Sequence, residues 1–232
     1  MHTKASSRAP DAHTSGTASK TAISESERVT SYGIFKLCIE RAKNLIKLHA
    51  AAHGKQAKPE KYMADAHRAA IVLAVSALDA FVRTFVIRQT RVLLADRTRA
   101  LPGALADQIK KFLKDDQLLD AARKDDLLDR VEKAFQNDFE RRSFQGVKNI
   151  TEYMKMVGYE DIFHDVAIDA GVNEETLKKD LDKFTKRRHV IAHKGDYDLN
   201  QNPPKENIVT KKQAEDCIRL VTKIAKHIDG MV

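Results

Sequence analysis

Glycine and proline are scarce, nine and five residues in a chain of 232, which leaves little material for the many tight turns of a β-sandwich or barrel. Tryptophan is absent and aromatic residues make up only 6% of the chain, which argues against an extended platform for stacking bases. The two cysteines, Cys38 and Cys217, are far apart, each within an apolar helical pattern. They read as free buried thiols in a reducing compartment, not as a disulfide framework. Long uncharged apolar runs are missing as well. The best stretch, 69–87, is interrupted by Asp79 and Arg83, short of the roughly 20 apolar residues of a membrane span. No apolar signal core opens the chain, so the expectation is a cytoplasmic protein with no membrane partner. A Gly-rich phosphate loop, a paired Cys-x-x-Cys, a Gly-x-Ser-x-Gly elbow, an internal repeat and sustained heptads are all lacking.

Helix formers fill the space these absences leave, and 42% of residues are hydrophobic against 32% charged, a mixture suited to one helical domain. The formal charge is +8 and the isoelectric point about 9.4, compatible with a polyanionic partner without naming it. Residues 1–23 are rich in Ser, Thr, Ala and Lys with no apolar periodicity, so a disordered arm is expected there. A helical domain is expected over 24–232, with an insert of short helices at about 100–170.

Ser24 to Glu27 reads as a capping box. The apolar positions from Val29 to Ile46 then recur at three- and four-residue steps, a long amphipathic helix stopped by Gly54. A second helix is expected from Pro59 towards Leu94. Apolar residues occupy nearly every face of it, which marks it as the central, most buried one. Asp79 and Arg83, four apart on that helix, read first as a buried ion pair and second as a contribution to a site. Past Pro102-Gly103, short helices are expected around 104–113, 118–135, 150–156 and 159–168. A further helix opens at Asn173 and runs to His193, with Gly195 as its stop. A polar loop over 196–208 leads to Thr210, the cap of a last helix.

The helix ending at His193 carries the densest chemistry. Its apolar stripe is Leu177, Leu181, Phe184 and Ile191, and the position that continues it is occupied by Arg188. A guanidinium is always charged and rarely enters a core unpaired, so an anion, either carboxylate or phosphate, should meet it. His189 and His193 share a neighbouring face, and Lys186, Arg187 and Lys194 crowd the same turns. Imidazoles can act as base or acid near neutrality, and a guanidinium can hold phosphate oxygens and stabilise developing charge. Metal-free RNA cleavage needs both. The spacing alone is unspecific, since Arg8 and His13 repeat it inside the arm. Two other readings stay open: zinc ligation by His189 and His193, for which His164 alone completes no site, and a solvated basic helix end favoured by the helix dipole.

Three segments carry a family resemblance: 67–81 in the central helix, 183–196 around Arg188, His189 and His193, and the polar loop leading into the last helix. Together they resemble the HEPN superfamily, in its RiboL-PSP-HEPN branch related to ribonuclease LS. The superfamily's motif, Arg, a polar residue, three residues and His, falls on Arg188, His189 and His193, with His189 where many members have Asn. The resemblance implies an all-α bundle with two long antiparallel helices and commonly a homodimer. It also implies a metal-independent endoribonuclease with no cofactor, in a toxin–antitoxin, abortive-infection or antiviral setting, whose partners are RNA and an antitoxin or regulatory protein. Some relatives keep the fold and only bind, so a non-catalytic RNA- or protein-binding adaptor is the alternative. On this reading Arg188 and His193 are catalytic, while Lys186, Arg187, His189 and Lys194 bind RNA. Asp79 orients Arg188 from the neighbouring helix. Residues 29–48 and the central helix are the expected dimer surfaces.

Overall fold

The computed structural model describes residues 30–53 and 64–231. The arm over 1–23, the Ser24 capping box, the Gly54 stop and the Pro59 start lie outside the described residues. Among the described residues the chain is all-α, with nine helices and one two-stranded hairpin. The long helices are α1 (Ser31–His53) and α2 (Ala64–Ala95). Four short helices follow, α3 (Gly103–Phe112), α4 (Asp115–Lys124), α5 (Leu127–Phe139) and α6 (Val147–Met156). Then come α7 (Ile162–Ala170), α8 (Glu174–Lys194), strands β1 (Tyr197–Asp198) and β2 (Lys205–Glu206), and α9 (Lys211–Asp229).

Tyr32 and Phe35, at the start of α1, meet Phe81 well along α2, with ring centroids 5.8 and 5.6 Å apart, so the two long helices run antiparallel. α2 is central because apolar residues occupy nearly every face of it: Ala70, Ile71, Ala74, Val75, Leu78, Phe81, Val82, Phe85 and Val86 are all buried. It is long and apolar enough to cross a membrane, and more than half of its most apolar stretch is buried inside the fold. Of the two expected dimer segments, α1 is the one with large apolar side chains in solvent at both ends, Ile34 and Leu48.

The insert packs around a chain of rings, Phe112, Phe135, Phe139, Phe144 and Tyr153, with successive centroids 4.2 to 5.3 Å apart. Asp79 and Arg83 tie it to α2. Arg83 donates to Asp79 at 3.1 Å and lies over the Phe144 ring, while the Phe144 amide donates to the other Asp79 oxygen. The ion pair is therefore present and partly buried. Both oxygens are engaged by Arg83 and Phe144, and Arg188 is not among Asp79's hydrogen-bond partners. One expected helix, 118–135, is two: Asp125 adopts a left-handed φ of 54° and separates α4 from α5, a conformation that Asp tolerates better than most residues. Asp115 and Asp116 open α4, placing acid where the helix dipole favours it.

Candidate functional site

The site is built on the last three turns of α8 and on what stops them. Asn173 caps the helix start by accepting from the Thr176 amide at 3.0 Å, and Glu174 and Glu175 occupy the first turn. Leu177, Leu181 and Phe184 are buried against the bundle, and Ile191 packs partly against the same core. This stripe fixes the rotation of α8 and so decides where each basic residue points. Arg188 continues the stripe and is half-buried. Its Nε is enclosed and has no hydrogen-bond partner among the described residues. An enclosed guanidinium N–H without an acceptor is costly unless an anion completes it.

His189 and His193 are exposed and meet ring to ring, centroids 4.5 Å apart and planes at 42°. Lys186 and Lys194 are exposed beside them. The structure therefore brings the two imidazoles together. Arg188 it sets apart, because the five-residue step from Arg188 to His193 turns an α-helix by about 140°. Within one chain the guanidinium and the His193 imidazole leave α8 on different faces.

Arg187 faces inward. It donates to Asp196 at 2.8 Å and to the Ile208 carbonyl at 3.1 Å, so it anchors the site and is not free to grip a backbone from solvent. Its partner is the structural surprise of the region. Gly195 ends α8 in the left-handed conformation, φ 58°, and Asp196 follows at φ 66°. This turn drives the Asp196 side chain, 0% exposed, under the helix end. There Arg68 from α2 donates to the same carboxylate oxygen at 2.7 Å, and also reaches the Asn207 carbonyl and Glu206, each at 2.8 Å. Asn207 closes the knot, its amide donating to the Asp196 carbonyl at 2.9 Å. Burial lowers the Arg187 pKa, and the nearby Arg68 charge adds to that against the pull of Asp196. Burial also works against Arg68, yet its hydrogen bonds to Asp196 and Asp65 bring it above its ordinary value. The two shifts differ in sign because Arg68 has three carboxylate partners where Arg187 has one. Both groups stay charged at any ordinary pH.

Sequence reasoning missed Arg68 and Asp196. A charged residue in the near-continuous apolar run of α2 was a usable signal for Arg68. For Asp196 no local signal existed, since an acid after a helix-stopping glycine reads as loop. His164, the further histidine weighed for zinc, pairs with Glu174 at 3.2 Å. Among the described residues no cluster of three or more His, Cys, Asp or Glu side chains is arranged to hold a metal ion.

Comparison with known proteins places the chain in one family. The family model described as RiboL-PSP-HEPN matches residues 36–232. That match takes in all of α2, the whole of α8 and the hairpin. No curated protein and no solved structure matches the chain significantly.

Proposed function

The chain belongs to the RiboL-PSP-HEPN family, and from that premise we propose that it is a metal-independent endoribonuclease centred on Arg188 and His193. One observation carries the reading: a half-buried guanidinium whose enclosed Nε–H has no acceptor among the described residues, on the same helix end as two exposed, touching imidazoles. A phosphodiester supplies the missing anion. In the reaction the 2′-oxygen attacks phosphorus and the bond from phosphorus to the 5′-oxygen breaks. One basic group takes the 2′-hydroxyl proton and one acid delivers a proton to the departing 5′-oxygen. His193 serves this acid–base chemistry, and Arg188 binds the phosphate and the charge that builds on it. Lys186, His189 and Lys194 position the RNA. Arg187 supports them from behind through Asp196. The family resemblance supports a toxin–antitoxin, abortive-infection or antiviral setting, with an antitoxin or regulatory protein as a further partner.

The different faces taken by Arg188 and His193 favour assembly of the complete site from two protomers. They also define the second reading, a binding adaptor in which neither group meets the other. The deciding experiment is cleavage of a labelled RNA in EDTA. Wild type is expected to yield a 2′,3′-cyclic phosphate and a 5′-hydroxyl. His193→Ala should lower the rate by roughly 10²–10⁴-fold while RNA binding persists. Equal absence of cleavage in both proteins would leave the adaptor, and activity that EDTA abolishes would overturn the metal-free mechanism.

A further inference from the structure

Three surface grooves outside the catalytic pair join into one basic face that straddles α9. The first, about 550 Å³, lies between α1 and α9, with Lys43, Lys47, Lys211, Arg219, Lys223 and Lys226 on its walls and Ile46 and Ile218 on its floor. A second, about 310 Å³, lies between α8 and α9 and shares Arg219 and Lys223 with the first. A third, about 570 Å³, shares Lys183 with the second and continues past Lys179 and Lys186. Ten cationic side chains and four carboxylates line the three together.

Three of the four carboxylates are already engaged, two of them by cations of the face itself, and Arg187 is held by Asp196. Asp216 is held by Arg219 at 2.9 Å and Glu215 lies 3.6 Å from Lys211, while Asp182 accepts from the Val147 amide at 3.2 Å. Lys179, Lys183, Lys186, Lys223 and Lys226 have no carboxylate partner among the described residues. Helical spacing then sets the direction. On α9, Lys211, Glu215, Arg219, Lys223 and Lys226 form one stripe about 22 Å long. On α8, Lys179, Lys183 and Lys186 form another, and the steps from Lys186 to His189 and His193 keep to that side of the helix. The line of cations thus ends at the imidazoles.

We propose that this face is an RNA track, which holds the sugar–phosphate backbone beyond the cleaved bond and feeds it along α9 and α8 to His193. The proposal rests on the ribonuclease reading for its destination but not for its binding. Lysine ammoniums spaced along two helices suit repeated phosphates, and no exposed aromatic side chain lines the grooves, so the track recognises charge and not sequence. An acidic protein segment is the other polyanion that such a surface could take.

The test reverses three exposed cations far from the catalytic pair, Lys43→Glu, Arg219→Glu and Lys223→Glu together, with circular dichroism confirming the fold. Binding is read by fluorescence anisotropy on an uncleavable 2′-O-methyl RNA of about 20 nucleotides, longer than typical single-strand footprints, across a salt series. The variant should bind at least tenfold more weakly, and its log–log salt slope should be shallower by roughly two units. Cleavage of a trinucleotide, too short to reach the track, should be unchanged. Unaltered RNA affinity and slope in the variant, or no RNA binding by wild type, overturns the track. So does tighter binding of polyglutamate than of RNA at equal charge, which would assign the face to an acidic protein. Failure of trinucleotide cleavage with intact, track-dependent RNA binding sinks the nuclease reading and leaves the track standing.

Discussion

One oxygen of Asp196 accepts from two guanidiniums, Arg68 and Arg187, in a place that water does not reach. Removing the carboxylate leaves both cations facing each other without compensation. Asp196→Ala should therefore cost about 3–5 kcal/mol of folding stability, read as a drop in the urea midpoint. Asp196→Asn, which tolerates the left-handed backbone and keeps an acceptor, should cost less. Equal midpoints for wild type and Asp196→Ala would show that the knot contributes nothing. A second residue answers to pH. Burial pushes the Cys217 thiol from an ordinary 9.0 up to about 12. Between those values the unfolded chain releases a proton that the folded chain keeps, so stability falls as pH rises across that window. At pH 8 an alkylating reagent should leave Cys217 untouched until the protein is unfolded in urea, which mass spectrometry of the labelled peptides will show.

At the scale of elements, the caps give the most direct prediction. Thr210 accepts from the Gln213 amide at 3.2 Å while its own backbone N–H donates to the Gln213 side-chain oxygen at 2.9 Å. Thr210→Ala should cost about 1 kcal/mol, and thermal melting will measure it. These caps were legible beforehand: Asn173 and Thr210 are small polar residues placed just before clean apolar periods, and both cap as expected. The burial of α2 was legible for the same kind of reason, as apolar residues occupy nearly every face of it. The break at Asp125 was not, because a left-handed Asp inside a polar run leaves no trace in an apolar period. Nor was the β1–β2 hairpin, whose two-residue strands are too short to show alternation. At the site, Arg188 was found by the slot it occupies, a position that the packing stripe had reserved. The inward turn of Arg187 was hidden, since its partner Asp196 declares itself only once the chain has reversed after Gly195.

For the molecule as a whole, the angular separation of Arg188 and His193 makes dimerisation testable through activity. If each centre combines Arg188 of one protomer with His193 of another, mixing inactive Arg188→Ala and His193→Ala proteins after partial unfolding should restore activity. Heterodimers would then hold one intact centre, so recovery near a quarter of wild type is expected for random exchange in a twofold assembly. No recovery, with exchange verified by mass spectrometry, would place the chemistry within one chain or dismiss it.

The hairpin offers a practical opening. Its two strands exist to hand Asp196 and Asn207 to each other, and everything between them, from Leu199 to Pro204, stands out in solvent. A peptide epitope or small dye-binding sequence spliced between Asn200 and Gln201 would load neither the helix end nor the knot beneath it, because a longer loop adds little closure entropy. Such a handle, a few residues of chain from His193, would let a single fluorophore report when a strand of RNA arrives.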